Sequence, residues 1–367
     1  HPASSIQHML RFILKRLLYG LLVLLGVVVV IFFLFNVLPG DPARMMLGQR
    51  ADQSSVEAIN KDLGLDRSLA VQFISYLNDL SPLSVHNRVD SSNYWYLDRG
   101  KYGSATMLVP LGKSALVLKK PYLRKSYQSK RNVTEILSEA LINTLILAIV
   151  AMTFAVVIGI AIGILTALKR NSITDRVALV FSVLGMSVPS FFAAILNAWI
   201  FAFVLVDITH LNMVGSLYSV DDLGRGEYLD LKNLILPAFT LGIRPLAIVV
   251  ELTRNSMLEV LSQDYIRTAR AKGLSNFSIV FKHALKNALN PVVTAISGWL
   301  ASLLAGAVFV EYVFDWKGIG VVIVNALDKY DFPVIMGAVL FISVVLIVIN
   351  ILVDIVYGML DPRIRVQ

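Results

Sequence analysis

The sequence contains no cysteine. A disulfide framework, a thiolate metal site, an iron–sulfur cluster and a cysteine nucleophile are therefore all excluded. Charge is scarce as well: Asp, Glu, Lys and Arg make up 16% of the chain against 56% hydrophobic residues, with a mean hydropathy of +0.71. Soluble globular domains lie far from this balance, and 367 residues of it read as a multi-pass membrane protein. The five histidines, His1, His8, His86, His210 and His283, are too scattered for a local metal motif. The sequence also lacks HExxH, GxSxG and a dinucleotide fingerprint, so nothing points to an enzyme. Gly112-Lys113-Ser114 looks like the end of a phosphate loop, but Met107 stands where that loop needs its first glycine.

What is present is long apolar runs. A helix needs about 20 apolar residues to cross about 30 Å of hydrocarbon. Six segments qualify: Leu17–Leu38, Thr144–Leu168, Val177–Val206, Leu234–Arg254, Pro291–Val313 and Pro333–Leu360. Their only charges are Arg244, Glu251, Arg254, Glu311 and Asp354, too few acids for an obvious proton relay. Residues 1–8, ahead of Met9, read as a tagging remnant and are set aside. Residues 9–38 then form a cytoplasmic start and first span, 39–139 an extracytoplasmic loop or cap, and 140–367 a core of five spans with a cytoplasmic loop at 254–290.

The net charge of +8 is explained by orientation rather than by nucleic acid, and no nucleic-acid partner is expected. Tails and short loops on one side hold fourteen Lys and Arg, and those on the other hold four, which puts both termini in the cytoplasm. Within the long outer loop, Val56–Leu77 reads as two amphipathic helices broken at Leu63-Gly64-Leu65-Asp66. Gly159 and Gly163 form a small-xxx-small surface, read as tight packing inside one subunit rather than a dimer contact. The basic tract Lys119–Arg131 has six positive charges and no acid. Outside the cell it suits anionic head groups or an acidic docked protein, or it is a solvated loop.

The cytoplasmic loop Glu251–Leu274 reads as one basic amphipathic helix, apolar at Met257, Val260, Leu261 and Ile266 and broken at Gly273. A second helix, Phe277–Leu289, follows. Such a pair suits docking into a groove on a partner. Asp264-Tyr-Ile-Arg-Thr-Ala-Arg-Ala-Lys-Gly-Leu274, followed by His283-Ala-Leu-Lys-Asn-Ala-Leu-Asn-Pro291, resembles the "EAA" loop of ABC importer permeases. The likeness is to the binding-protein-dependent dipeptide/oligopeptide/nickel group. Leu38-Pro-Gly-Asp-Pro42, Leu63-Gly-Leu-Asp66, Ser187-Val-Pro-Ser-Phe191, Val310-Glu-Tyr-Val-Phe314, Gly318-Ile-Gly320 and Leu360-Asp-Pro-Arg-Ile-Arg365 match that group in the same order. Arg267-Thr268-Ala269 stands where the general pattern has Glu-Ala-Ala.

The resemblance implies an all-α membrane protein of the type I ABC importer permease class, a pore-forming subunit for di- or oligopeptides working by alternating access. It implies a second homologous permease, two cytoplasmic ATPase subunits and an extracytoplasmic solute-binding protein as partners in a bacterial or archaeal cytoplasmic membrane. No cofactor is expected in this chain; ATP and Mg would sit on the ATPase subunits. By the same resemblance Asp264, Tyr265, Arg267, Thr268, Ala269, Arg270, Lys272 and Gly273 couple to the ATPase. Arg244, Glu251, Ser187 and Ser190 are the candidate translocation residues. Arg244 is either satisfied by Glu251, backbone carbonyls or another subunit, or lines the route and attracts a solute carboxylate. The alternative from another class is a secondary transporter or channel not driven by ATP, which the missing inverted repeat disfavours.

Overall fold

The computed structural model describes residues 2–37, 53, 56, 57, 60, 64–91, 93–221, 224 and 226–360. The motifs at 38–42 and 361–365, and most of the first amphipathic helix expected in the outer loop, lie outside these residues. In chain order the elements are α1 (Pro2–Val37), α2 (Leu69–Leu80), β1 (Leu83–Asn87), α3 (Arg99–Tyr102), β2 (Thr106–Leu111), β3 (Ser114–Leu118), α4 (Val133–Leu168) and α5 (Ile173–Ser187). They continue with α6 (Ser190–Trp199), a π turn at Ile200–Val204, α7 (Val206–Thr209), β4 (Tyr218–Val220), β5 (Glu227–Leu229), α8 (Lys232–Leu261) and α9 (Asp264–Ala271). The last are α10 (Asn276–Ser278), a π stretch at Ile279–Ala284, α11 (Leu285–Phe314), α12 (Ile319–Asp328) and α13 (Phe332–Leu360).

Among the described residues, four helical segments are long and apolar enough to cross a membrane: Leu14–Phe35, Val133–Leu168, Lys232–Leu261 and Phe332–Val353. The expected span Pro291–Val313 lies inside the 30-residue helix α11. The expected span Val177–Val206 is not one straight helix, because α5 and α6 meet at 114°. Its cause is local. Pro189 has no N–H to continue the ladder and holds Val188 extended (φ −75°, ψ 128°).

The chain divides into two compact units. The larger comprises His1–Leu14, Ala140–Val322 and Val345–Gln367. Its apolar core joins α4, α6, α8 and α11 through Leu147, Ala151, Ala198, Leu241 and Val310. Gly159 and Gly163 allow α4 to lie directly on α8: a Cβ at Gly163 would sit 2.5 Å from Thr253 Cβ and 2.9 Å from the Val250 carbonyl. The small-xxx-small surface is therefore an intrachain contact.

The smaller unit comprises Lys15–Glu139 and Ile323–Val344. It adds strands to the mostly helical fold, residues 83–118 forming an antiparallel sheet of order β1-β3-β2. Alternation in Ser114-Ala-Leu-Val-Leu118 hides Ala115 and Val117 while Leu118 stays exposed, as a half-buried strand requires. Gly112-Lys113 is the two-residue turn between β2 and β3, with Gly112 at φ 64°, which disposes of the phosphate-loop likeness. Part of the basic tract is structural. Lys119 Nζ donates to the Asp79 carbonyl at 2.6 Å, and Arg124 Nε pairs with the Asp79 carboxylate at 3.3 Å.

Candidate coupling surface and transport route

The expected single helix from Glu251 to Lys272 is two helices. α8 ends at Leu261, and Gln263 turns the chain in an extended conformation (φ −71°, ψ 151°) before α9 begins. α9 ends in a Schellman motif: Gly273 N–H donates to the Arg270 carbonyl at 2.9 Å, and Leu274 N–H reaches back to Ala269 at 3.3 Å. Gly273 has φ +77°, and a Cβ there would meet nothing within 4 Å. Glycine is needed for the backbone angle, not for space.

Two residues seat α9. Ile266 and Ala269, three apart on one face, are buried with Ile164, Ala167, Met257, Ile279, Val280, Ala284 and Ala288. Asp264, Tyr265, Arg267, Thr268, Arg270 and Lys272 all point to solvent. Ala269 therefore supports the helix from beneath instead of offering a contact. Tyr265 Oη accepts from Asn287 Nδ2 at 2.9 Å, tying α9 to α11. The Asp264–Arg267 pair at 3.3 Å is exposed and adds little. The result is a mainly cationic helix face on a buried apolar seat. The second helix expected at Phe277–Leu289 runs through the π stretch into α11 without a break.

Arg244 is exposed on α8, and its guanidinium lies 5.8 Å from the centre of the Trp299 ring, a cation–π distance. Among the described residues no ion pair joins it to Glu251, which is half-buried two turns further on. Ser187 stands exposed at the end of α5, its Oγ donating to the Val183 carbonyl at 2.8 Å, and half-buried Ser190 opens α6. No described hydrogen bond connects either serine to Arg244. The four candidates are thus not assembled into one site by direct contacts.

Sequence reasoning missed two polar anchors. Arg254, read as a charge at the end of a span and in the loop but given no partner, grips Asp175 with Nε–Oδ1 at 2.5 Å and Nη2–Oδ2 at 2.8 Å, a bidentate pair joining the start of α5 to α8. Asp175 was the only acid among the basic residues of 169–176, which is the signal that could have found it. Glu311 is fully buried and accepts from Gly320 N–H at 2.6 Å. A Cβ on Gly318 would overlap its carboxylate, so the Val310–Phe314 and Gly318–Gly320 motifs are one interlocked turn. Trp316, also fully buried, closes this turn by donating Nε1–H to the Asn143 carbonyl at 3.0 Å. Among the described residues no group of three or more His, Asp or Glu could hold a metal ion.

Residues 159–366 match the family described as "Binding-protein-dependent transport system inner membrane component", and 9–91 match its N-terminal companion. The chain belongs to this family. It is an ABC importer permease of the dipeptide/oligopeptide group and a multi-pass membrane protein. A putative peptide permease of Brucella suis is 35% identical over 98% of this chain and 100% of its own length. The glutathione transport system permease GsiC of Salmonella typhi is 37% identical over 97% of this chain and 99% of its own. The dipeptide transport system permease DppB of Escherichia coli K12 is 34% identical over 97% and 99%. Among solved structures, an inward-facing MetNI methionine ABC transporter aligns with 62% of this chain and 97% of its own at 19% identity, TM-score 0.49. These relatives are themselves named as permease proteins of transport systems.

Proposed function

We propose that this importer permease moves di- or oligopeptides inward by alternating access, driven by ATP hydrolysed on two separate cytoplasmic subunits. A second, homologous permease completes the pathway, and an extracytoplasmic binding protein delivers the solute. Both termini, and with them α9, lie in the cytoplasm. The observation that carries this reading is α9 itself. An eight-residue helix fixed by an apolar seat, a hydrogen bond to α11 and a glycine cap turns six polar or charged side chains outward, which is what a lever pushed by another protein requires. Asp264, Tyr265, Arg267, Thr268, Arg270 and Lys272 make the contact, with Ala269 and Gly273 holding the helix in place.

The cargo assignment is supported by relatives named for dipeptide and glutathione transport and by Arg244. Its guanidinium, held beside an aromatic ring within an apolar helix, suits a peptide carboxylate. Glu251, Ser187 and Ser190 offer polar groups along the same route. The smaller unit receives the binding protein: its sheet presents Leu83, Val85, Val109, Leu111 and Leu118 to solvent, with Arg88, Lys113 and Lys120 exposed nearby.

The test is reconstitution of the permease with its co-purifying subunits in liposomes. ATP-dependent peptide accumulation is compared for wild type and Gly273→Val. Valine at φ +77° costs about 1–2 kcal/mol and tilts the end of α9 without colliding with anything. The complex should assemble and hydrolyse ATP at its basal rate, with accumulation and binding-protein stimulation reduced several-fold. Wild-type accumulation and stimulation in Gly273→Val would remove α9 from the coupling role.

A further inference from the structure

α2 is built inside out for a helix in water. Two of its three hidden side chains are polar: Ser75 and Asp79 are each 4% exposed, beside Tyr76 at 3%, while Leu69 and Ile74 are 47% and 50% exposed. The polar side turns inward to its own unit. Asp79 Oδ1 accepts from Tyr102 Oη at 2.8 Å, Ser75 Oγ accepts from Trp95 Nε1 at 2.8 Å, and Asn78 exchanges two hydrogen bonds with the Val85 backbone. The opposite side packs on spanning helices. Phe73 and Tyr76 lie on Phe32, with ring centres 4.9 and 5.8 Å apart, in a cluster that also holds Val28, Ile31, Met336 and Leu340.

Depth follows from these contacts. The apolar run of the sequence carries α1 to its end at Val37, and Val28–Phe32 lie five to nine residues before that end, about 7–14 Å inside the hydrocarbon at 1.5 Å per residue. Phe33, 47% exposed on the lipid-facing side of α1, has its ring 6.0 Å from that of Phe73. The apolar surface of the spanning helix therefore continues onto α2. Near the start of α2 stand Tyr94 and Trp95, 38% and 39% exposed, with the Arg67 guanidinium 5.9 Å from the Tyr94 ring. Partly exposed Tyr and Trp beside a cation are the side chains that settle at the head-group level.

From this arrangement we infer that α2 is an interfacial membrane helix, sunk into one leaflet beside α1 with Leu69 and Ile74 against acyl chains and its polar side roofed by the sheet. The leaflet is the outer one on the topology proposed above. The inference itself rests on the chain being a membrane protein and on neither cargo nor coupling. Its consequence is that the sheet of the smaller unit stands at a fixed height on the bilayer.

The absence of cysteine allows a direct test. Leu69→Cys, Ile74→Cys and, as a water-exposed control, Ser104→Cys are labelled with an environment-sensitive fluorophore in the complete complex in nanodiscs. Lipids carry a nitroxide at acyl carbon 5 or 12, and iodide serves as the aqueous quencher. Labels at 69 and 74 should be quenched at least twofold by the carbon-5 nitroxide, less by the carbon-12 nitroxide, and be several-fold less sensitive to iodide than the label at 104. Iodide quenching at 74 equal to that at 104 would overturn the inference. Shielding from both lipid nitroxides and iodide would overturn it equally, by assigning this face to a protein partner.

Discussion

Asp79 is the residue on which the smaller unit turns. Its carboxylate accepts from Tyr102 Oη and pairs with Lys101 and Arg124, while its carbonyl takes the Lys119 ammonium. Replacing one partner of a buried charge group leaves the others uncompensated, at about 3–5 kcal/mol. Lys101 and Arg124 keep partial access to water, so Asp79→Asn should fall at the low end, about 3 kcal/mol, read as a lowered midpoint in denaturant. The same cluster sets a pH dependence. Burial pulls Lys119 down to about 8, so between pH 8 and 10 the unfolded chain binds the proton that the folded chain has released, and stability rises with pH. Burial pushes Tyr122 up to about 12 and Tyr102 higher, so above pH 10 the unfolded tyrosines ionise first and stability falls. Burial also lowers His86, so acidification below about pH 6.5 protonates it preferentially in the unfolded chain and again destabilises. Thermal melting should therefore peak near pH 10, and Lys119→Met should flatten the rise between 8 and 10. A wild-type profile flat over that window would show that Lys119 keeps its charge in the folded state.

At the scale of elements, the crossing of α4 on α8 is the contact least tolerant of added volume. A methyl on Gly163 meets Thr253 Cβ and the Val250 carbonyl, neither of which is the flexible end of a long side chain. Overpacking of this kind costs about 1–3 kcal/mol. Gly163→Ala should lower the melting temperature in detergent, whereas Gly26→Ala on α1, with nothing within 4 Å, should leave it unchanged or raise it. Equal effects of the two substitutions would show that helix propensity, not helix approach, decides. The small-residue spacing was visible in the sequence, but its partner was not. Thr253 lies ninety residues from Gly163, and no periodicity within α4 names it. The kink between α5 and α6 was legible only as Pro189 within an apolar run, because hydropathy averages over a bend.

For the whole molecule, charge is distributed unevenly. Residues 83–132 hold ten Lys and Arg against Asp90 and Asp98. Lys101, Lys119 and Arg124 are turned to Asp79, while Arg88, Arg99, Lys113, Lys120, Lys125, Lys130 and Arg131 are exposed. Reversing Lys113, Lys120, Lys125 and Lys130 to Glu should leave basal ATPase activity of the assembled complex intact. It should weaken stimulation by the binding protein, most strongly at low ionic strength where screening is least. Unchanged stimulation at low salt would move the docking surface elsewhere. The class of protein, the approximate spans, the turn at Gly273 and the family motifs were all determined by the sequence itself, because hydropathy, glycine φ and short motifs are properties of neighbouring residues. The sheet at 83–118 was not read, its strands being short and its outward face as apolar as its inward one. Which basic residues are structural and how α9 is seated were decided by tertiary structure alone. Each depends on groups far apart in sequence: Ser126 Oγ meets the Asp331 carboxylate across 205 residues, and a one-dimensional pattern holds no distance between them until the chain has folded.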